Sequence, residues 1–268
     1  MNGSRVAAIV LRQLFLYRSS PQRVVPMFAW VALDIVLWGF ISRYLMTAAA
    51  RPGINFIATL LGAVLLWDFL TRVMQGVTMA FFEDVWSRNF LNVFATPLRT
   101  SEYLAGLVLT GITTSVLGLV VMLVLARVAF GLSFLAYGAA LAPFLFVLFL
   151  SGIALGIAAA AIVLRLGPAS EWLIWPIPTI VSPFAGVFYP VSVLPLWMQA
   201  VSKALPPSYV FEGMRAVIAG KPAPWDRLAL GGAFAVVFLG LACFFFTRVY
   251  RYAIRTGLIA RYSAETVS

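Results

Sequence analysis

Histidine is absent from this chain of 268 residues, and cysteine occurs once, at Cys243. Without histidine the chain lacks the side chain that most often serves as general base, proton relay or metal ligand. A single cysteine excludes an internal disulfide and a cysteine-based metal site. No convergent acidic group stands out either, so the sequence disfavours a membrane-embedded enzyme with hydrolytic or metal chemistry.

Charge is also scarce. Only 10% of the residues are charged and 63% are hydrophobic, with a mean hydropathy of +1.00, whereas a soluble domain carries about a quarter charged residues. The apolar runs reach the roughly 20 residues that a helical span needs, and the alternation typical of a β-barrel is missing. We therefore predict an all-α integral membrane protein. The net charge of +10 fits anionic lipid headgroups and cytoplasmic basic loops better than nucleic acid.

The hydropathy pattern predicts one transmembrane domain over residues 1–268 with six spans. The spans are expected at residues 24–44, 54–80, 104–126, 141–164, 171–188 and 228–249. The domain divides into an interface helix (1–22), spans 1 and 2 (24–80), a charged segment (83–103), spans 3 to 5 (104–188), an outer segment (189–226), span 6 (228–250) and a tail (251–268). The distribution of basic residues places both termini in the cytoplasm.

Two of the connecting segments contain short helices. Residues 5–18 predict a basic amphipathic helix in the interface plane, with Val6, Val10 and Leu14 on its apolar side. The outer segment predicts helices at 196–204 and 208–219, the second capped by Ser208. Both are too short to span, so we expect them to be re-entrant or to lie at the surface.

The segment of residues 83–103, which we call the docking stretch, mixes charged and large apolar side chains. Asp84 and Arg88 are spaced as an acid and a base one helical turn apart, and Phe90, Leu91 and Phe94 give that helix an apolar side. Thr96-Pro97 would end it. The stretch predicts an amphipathic helix that docks a partner; a helix that only rests among headgroups is the alternative.

Two predicted spans carry acidic residues. Asp34 lies near the middle of span 1, where an ionisable group normally faces protein, water or an opposite charge. Asp68 and Arg72 of span 2 are four residues apart and are expected to neutralise each other. Both acids are candidates for a transport pathway, and structural packing is the alternative for each.

Taken together, these features resemble the ABC-2 type permeases, the membrane subunits of ABC exporters with the type V fold. The resemblance covers nearly the whole chain. Its most specific local match is the outer segment, which is similar to the family pattern of LP-x-W, LP, Tyr and E-G-x-R. Leu194 and Leu205 match this pattern, and so do the residues expected to form an extracellular gate motif, which are Pro190, Pro195, Trp197, Pro206, Tyr209, Glu212, Gly213 and Arg215.

The resemblance implies that the docking stretch is a coupling helix seated in a groove of a separate ATPase subunit. The residues that would make or shape this contact are Glu83, Asp84, Trp86, Arg88, Asn89, Asn92, Pro97 and Leu98, with Arg5, Arg12 and Arg18 of the interface helix nearby. The chain has no G-x-x-x-x-G-K-[ST] phosphate loop, so ATP and Mg would be bound by the partner, and this chain has no cofactor and no catalytic or metal site of its own.

The resemblance further implies a homodimer with two ATPase chains in the bacterial inner membrane, with substrate passing between spans 1, 2 and 5. The candidate pathway residues are Asp34, Trp38, Trp67, Asp68, Trp172, Trp175, Phe184 and Phe188. Aromatic faces suit an amphipathic ligand, and each of these residues also fits lipid-facing packing.

Several functions remain open at this stage. We predict export of a drug-like molecule or lipid, with polysaccharide or lipid-linked glycan export as the alternative. An ion-coupled transporter using Asp34 and Asp68 would normally show broken helices in both halves, whereas here they cluster near residues 175–220. A structural assembly subunit is a fourth reading.

Overall fold

The computed structural model describes residues 2–19, 21–48, 57–86, 96, 98–132 and 134–257. This part of the chain forms nine α-helices and no β-strand. The helices are α1 (Gly3–Ser19), α2 (Pro21–Ala48), α3 (Gly62–Trp86), α4 (Thr100–Phe130), α5 (Leu141–Leu166), α6 (Pro176–Ala185), α7 (Leu196–Ala204), α8 (Pro206–Ile218) and α9 (Trp225–Arg255). The all-α prediction is confirmed.

Five helical stretches are long and apolar enough to cross a membrane. They are Ala29–Ala48, Ile57–Trp86, Thr100–Phe130, Tyr137–Leu166 and Trp225–Arg255. Two of them include short irregular turns, a π-helical turn at Ile57–Leu61 and a 3-10 helix at Phe134–Ala140. The protein is therefore a multi-pass membrane protein.

The fifth predicted span, residues 171–188, is not a continuous spanning helix. A 3-10 helix at Pro168–Leu173 is followed by α6, which has only 10 residues and contains Pro183. Proline has no N–H to donate within a helix, so a cluster of prolines divides the segment into short pieces. In the described part of the chain, five continuous helical stretches are long enough to cross a membrane, whereas six spans were predicted.

Two further expectations are corrected at helix ends. Helix α8 begins at Pro206 after the extended residue Leu205, because proline is preorganised for the first helical position. Ser208 is therefore not the cap, and its hydroxyl instead donates to the Leu205 carbonyl at 2.8 Å. Span 2 does not end near residue 80, since α3 continues to Trp86 and includes Asp84.

The centre of the bundle is packed through small residues. A Cβ on Gly76 would lie 2.8 Å from the Cα of Gly111 in α4, and one on Gly152 of α5 would lie 2.7 Å from the Leu70 carbonyl oxygen of α3. Small residues allow helices to approach closely in membranes, where packing rather than water exclusion drives association. Helix α3 packs closely against both α4 and α5, and α9 packs along α5.

The helices define two ends of the bundle, which position the candidate sites. The α1 end consists of α1, the first turn of α4 and the last turns of α3, α5 and α9. At this end Gln13 donates a hydrogen bond to the Ala80 carbonyl at 3.1 Å, and the Arg165 guanidinium lies 4.5 Å from the centre of the Tyr252 ring. The α8 end holds α7, α8 and the turns before α3 and α5. There the Tyr137 hydroxyl donates to the Ala58 carbonyl at 2.8 Å.

The close contact at Gly152 predicts opposite effects for two glycine substitutions. Gly152→Ala places a methyl group against the α3 backbone and should destabilise the fold by about 1–3 kcal/mol, as overpacking does. Gly240→Ala is the matched control, because nothing lies within 4 Å of its added Cβ and alanine is the better helix former. Thermal unfolding in detergent should show a lower midpoint for the first and an unchanged or higher one for the second. Equal midpoints would contradict the packing model.

Candidate functional site

A polar cluster of Arg5, Arg12, Asp84, Glu102 and Tyr103 lies at the α1 end. It joins α1 to the end of α3 and the start of α4, the two helices that flank residues 87–95. Asp84 is fully buried, with 0% side-chain exposure, and is paired with Arg12 of α1. The Tyr103 hydroxyl donates to the other Asp84 carboxylate oxygen at 2.8 Å. Three helices therefore meet at one carboxylate.

Glu102 ties the beginning of α1 to the beginning of α4. One of its carboxylate oxygens accepts the Asn2 backbone N–H at 2.7 Å, and the other accepts the Arg99 N–H at 3.0 Å and the Arg5 guanidinium at 3.3 Å. An acidic residue in the first turn of a helix also interacts favourably with the helix dipole. Glu102 thus caps α4 and anchors α1 with the same carboxylate.

A third contact reaches from the end of α3 to the broken segment before α6. The Trp86 indole N–H donates to the Glu171 carboxylate at 3.0 Å, and Trp86 stacks at an angle on Phe82 with ring centres 5.5 Å apart. Trp86 itself remains 51% exposed. The docking stretch is thereby connected to the segment that leads into α6.

The docking stretch is only partly within the described residues. Glu83, Asp84 and Trp86 form the last turn of α3, and Leu98 packs half-buried against the core. The predicted contact residues Arg88, Asn89, Asn92 and Pro97, and the Arg18 side chain, lie outside the residues that the structure describes. The amphipathic helix predicted there stays a prediction, and its first residue, Asp84, belongs to α3.

The buried face of α1 overlaps only in part with the apolar side predicted for it. Val6 of that side is buried, together with Ile9 and Gln13, whereas Leu14 of the same side is exposed. Arg12, predicted to lie near the ATPase, pairs with Asp84. Polar contacts as well as apolar ones therefore hold α1 against the bundle.

The acidic residues of the spans lie near each other. The Arg72 guanidinium donates to Asp68 at 2.9 Å, which confirms their predicted pairing. Asp34 of α2 is half-buried and close enough to Asp68 and Arg72 for their charges to interact. These three residues form what we call the charged face, at the contact of α2 with α3.

The candidate pathway aromatics do not form a single group. Trp38 of α2 stacks on Phe188, with ring centres 5.3 Å apart, and Phe184 packs edge-on against Trp197. Trp67 contacts Phe211 of α8 instead. Trp172 and Trp175 are exposed on the surface of the chain, and Trp175 lines a shallow cleft between α3 and α6 with Met74, Gln75 and Pro178.

The gate motif holds the α8 end together. Glu212 accepts the Val191 backbone N–H at 2.8 Å and the Arg215 guanidinium at 2.8 Å, and Arg215 also donates to the Val187 carbonyl at 3.4 Å. The Tyr209 hydroxyl donates to the Lys203 carbonyl at 2.6 Å. Gly213 lies against Phe144, with 3.1 Å to an added Cβ. Pro206 starts α8, Pro195 caps α7 and Pro190 caps the 3-10 helix at Val191–Val193.

Several polar contacts of the α1 end were not predicted from the sequence, among them those of Tyr103 with Asp84, Gln13 with Ala80 and Glu171 with Trp86. Their sequence separations are 19, 67 and 85 residues. The sequence feature that could have indicated these contacts is a polar residue inside or beside an apolar run, because such a residue needs a hydrogen-bond partner when it is buried.

Comparison with known protein families places these features in context. The family model described as ABC-2 type transporter matches residues 6–219, about four fifths of the chain. No curated protein matches the chain. The matched range includes most of α1, the charged face, the described part of the docking stretch and the gate motif.

The buried ion pair predicts strong energetic coupling between α1 and α3. Arg12→Ala leaves the Asp84 carboxylate with one fewer partner and should lower the free energy of unfolding by about 3 kcal/mol. Leu11→Ala, on the exposed side of α1, should have little effect. In a double-mutant cycle with Asp84→Asn we expect a coupling energy of at least about 1 kcal/mol. Additive effects would show that the pair does not fasten α1.

Proposed function

This chain belongs to the ABC-2 type transporter family as a membrane permease component, and we propose that it forms the path of an exporter for a hydrophobic or amphipathic molecule. The observation that carries the proposal is the polar cluster at the α1 end. A force applied to α1 or to residues 87–95 reaches the same buried carboxylate, Asp84. Separating Asp84 from Arg12 would leave a buried charge without its ion-pair partner, so both elements move with α3 and α4.

We propose that the docking stretch and α1 receive that force from the ATPase. The family implies an ABC ATPase partner, and the proposed assembly has two ATPase chains on a permease homodimer, with ATP and Mg bound by the ATPases. Binding of ATP would favour one permease conformation by contacting the docking stretch differently in the two states. This chain contributes the moving surface and no chemical step.

The proposed orientation puts the α1 end in the cytoplasm of a bacterial cell. Glu171 lies at the α1 end and Val187 at the α8 end, so the broken segment between them would be a sixth crossing. Both termini would then be cytoplasmic, and α7 and α8 would be extracellular re-entrant helices. The two cation–aromatic contacts of the α1 end, Arg165 on Tyr252 and Arg248 on Phe244, agree with an excess of basic residues on that side.

The proposed pathway runs between two copies, along α2, α3 and α6. The exposed tryptophans Trp172 and Trp175 would face the second copy, and the charged face would lie beside them. Because Asp68 is already paired with Arg72 at 2.9 Å, ion coupling through Asp68 is less well supported than ATP-driven movement. We propose a drug-like or lipid substrate, for which the exposed rings of Trp172 and Trp175 offer contacts, and a polysaccharide or lipid-linked glycan is the alternative substrate.

The assembly can be tested by co-expressing the chain with candidate ABC ATPases from the same genome, followed by native mass spectrometry. We expect a complex of two permeases and two ATPases whose ATP hydrolysis depends on this chain. Lipids, drugs and glycans can then be compared as stimulators of turnover. Isolation of the permease without an ATPase would overturn the proposal, and proton-coupled flux through Asp34 and Asp68 would be measured next.

Because the Trp86 indole is exposed, we expect its removal to weaken the coupling between the permease and the ATPase with little loss of permease stability. Trp86→Ala removes the hydrogen bond to Glu171 and should lower ATP turnover of the complex several-fold, while thermal unfolding changes little. Trp225→Ala is the matched control, because Trp225 is 54% exposed at the opposite end. Normal turnover in the Trp86 variant would remove this residue from the docking assignment.

A further inference from the structure

Helix α9 carries one exposed stripe that changes from apolar to basic along its length. Val237, Leu241 and Phe244 are exposed, and Arg248, Arg251 and Arg255 follow at helical spacing on the same side. All three arginines are exposed and lie at the α1 end of the helix. The rise from Val237 to Arg248 is about 16 Å, close to half of a ~30 Å hydrocarbon core.

A fourth arginine joins this stripe from the neighbouring helix. Arg165, in the last turn of α5, lies over the Tyr252 ring of α9 at 4.5 Å. Arg248 likewise lies over the Phe244 ring at 5.3 Å. These cation–aromatic contacts hold both guanidinium groups against the protein surface, so less conformational freedom is lost when they bind a ligand.

No carboxylate in the described part of the chain forms an ion pair with any of these four arginines. The ion pairs formed there involve Asp68, Asp84, Glu102 and Glu212. Glu171, the acidic residue nearest to Arg165 in the chain, accepts the Trp86 indole N–H. The cluster therefore presents a concentrated positive charge directly beyond an apolar surface.

We propose that Arg165, Arg248, Arg251 and Arg255 bind the headgroup of an anionic phospholipid from the surrounding leaflet at the α1 end. The phosphate contacts the guanidinium groups, which donate paired hydrogen bonds to phosphate oxygens. One acyl chain lies along Val237, Leu241 and Phe244. A zwitterionic headgroup also has a phosphate, but its own cation is repelled by the cluster, so the site selects a net negative charge.

Basic residues near a helix C-terminus also interact with the helix dipole, and this would explain one or two of these arginines without any ligand. It does not account for the alignment of three arginines with the apolar stripe or for the fourth on a different helix. The two explanations differ in outcome, because the dipole effect alone gives no preference among lipids.

The site can be tested by titrating the purified full chain in detergent with phosphatidylglycerol or phosphatidylcholine of identical acyl chains and counting bound lipids by native mass spectrometry. The test variant is Arg165→Gln with Arg248→Gln and Arg251→Gln. The matched control is Arg43→Gln with Arg127→Gln and Arg227→Gln, three exposed arginines at the α8 end. A third variant replaces the three test arginines with lysine.

We expect wild type to bind phosphatidylglycerol more tightly than phosphatidylcholine, and the test variant to lose at least about tenfold of the phosphatidylglycerol affinity. The control variant should keep the preference, and the lysine variant should keep most of it. Unchanged affinity in the test variant, or an equal loss in the control, would overturn the proposal.

Should the test variant fail to fold, Arg165→Gln alone is measured against Arg165→Lys. We then expect the phosphatidylglycerol affinity to fall about fivefold in the glutamine variant and by a smaller factor in the lysine variant. Equal affinities in these two single variants would also overturn the site. None of these measurements requires an ATPase, so the result is independent of the exporter proposal.

Discussion

The ion pair between Arg12 and Asp84 is the interaction on which the α1 end depends. A carboxylate with no solvent exposure must be satisfied by protein groups, because an unpaired buried charge is too costly to keep. Asp84 satisfies this need with a guanidinium from α1 and a phenol from α4. A polar contact therefore helps to hold the middle of α1 against the bundle, and Glu102 holds the beginning of the same helix through the Asn2 backbone N–H.

Features that depend on neighbouring residues were predictable from the sequence. The helix predicted at residues 196–204 is present with the same bounds, and Asp68 pairs with Arg72 because both sit on one helix, a turn apart. The continuous spans follow from long apolar runs. The clustering of broken helices near residues 175–220 was predictable, but the sequence pattern did not show that the helix beginning at Pro176 would be only 10 residues long.

Features that depend on distant contacts were not predictable. The buried face of α1 is the clearest case: periodicity selected Leu14, whereas Gln13 is buried and Leu14 is exposed. In a membrane protein an apolar residue fits a lipid-facing surface as well as a packed one, so hydrophobicity alone does not distinguish them. The partner of Gln13 is a backbone carbonyl at Ala80, which no side-chain pattern reveals.

The distribution of close packing indicates which parts of the permease can move. Helices α3, α4 and α5 touch through glycines such as Gly76 and Gly152, where even a methyl group does not fit, and such interfaces shift as units rather than deform. The broken segment before α6 is different, since proline-rich short helices have few hydrogen bonds to lose when they reorient. Trp86 connects the rigid part to this segment through Glu171. A displacement of the core at the α1 end would therefore reach the segment before α6 through this hydrogen bond, beside the cleft that Trp175 lines.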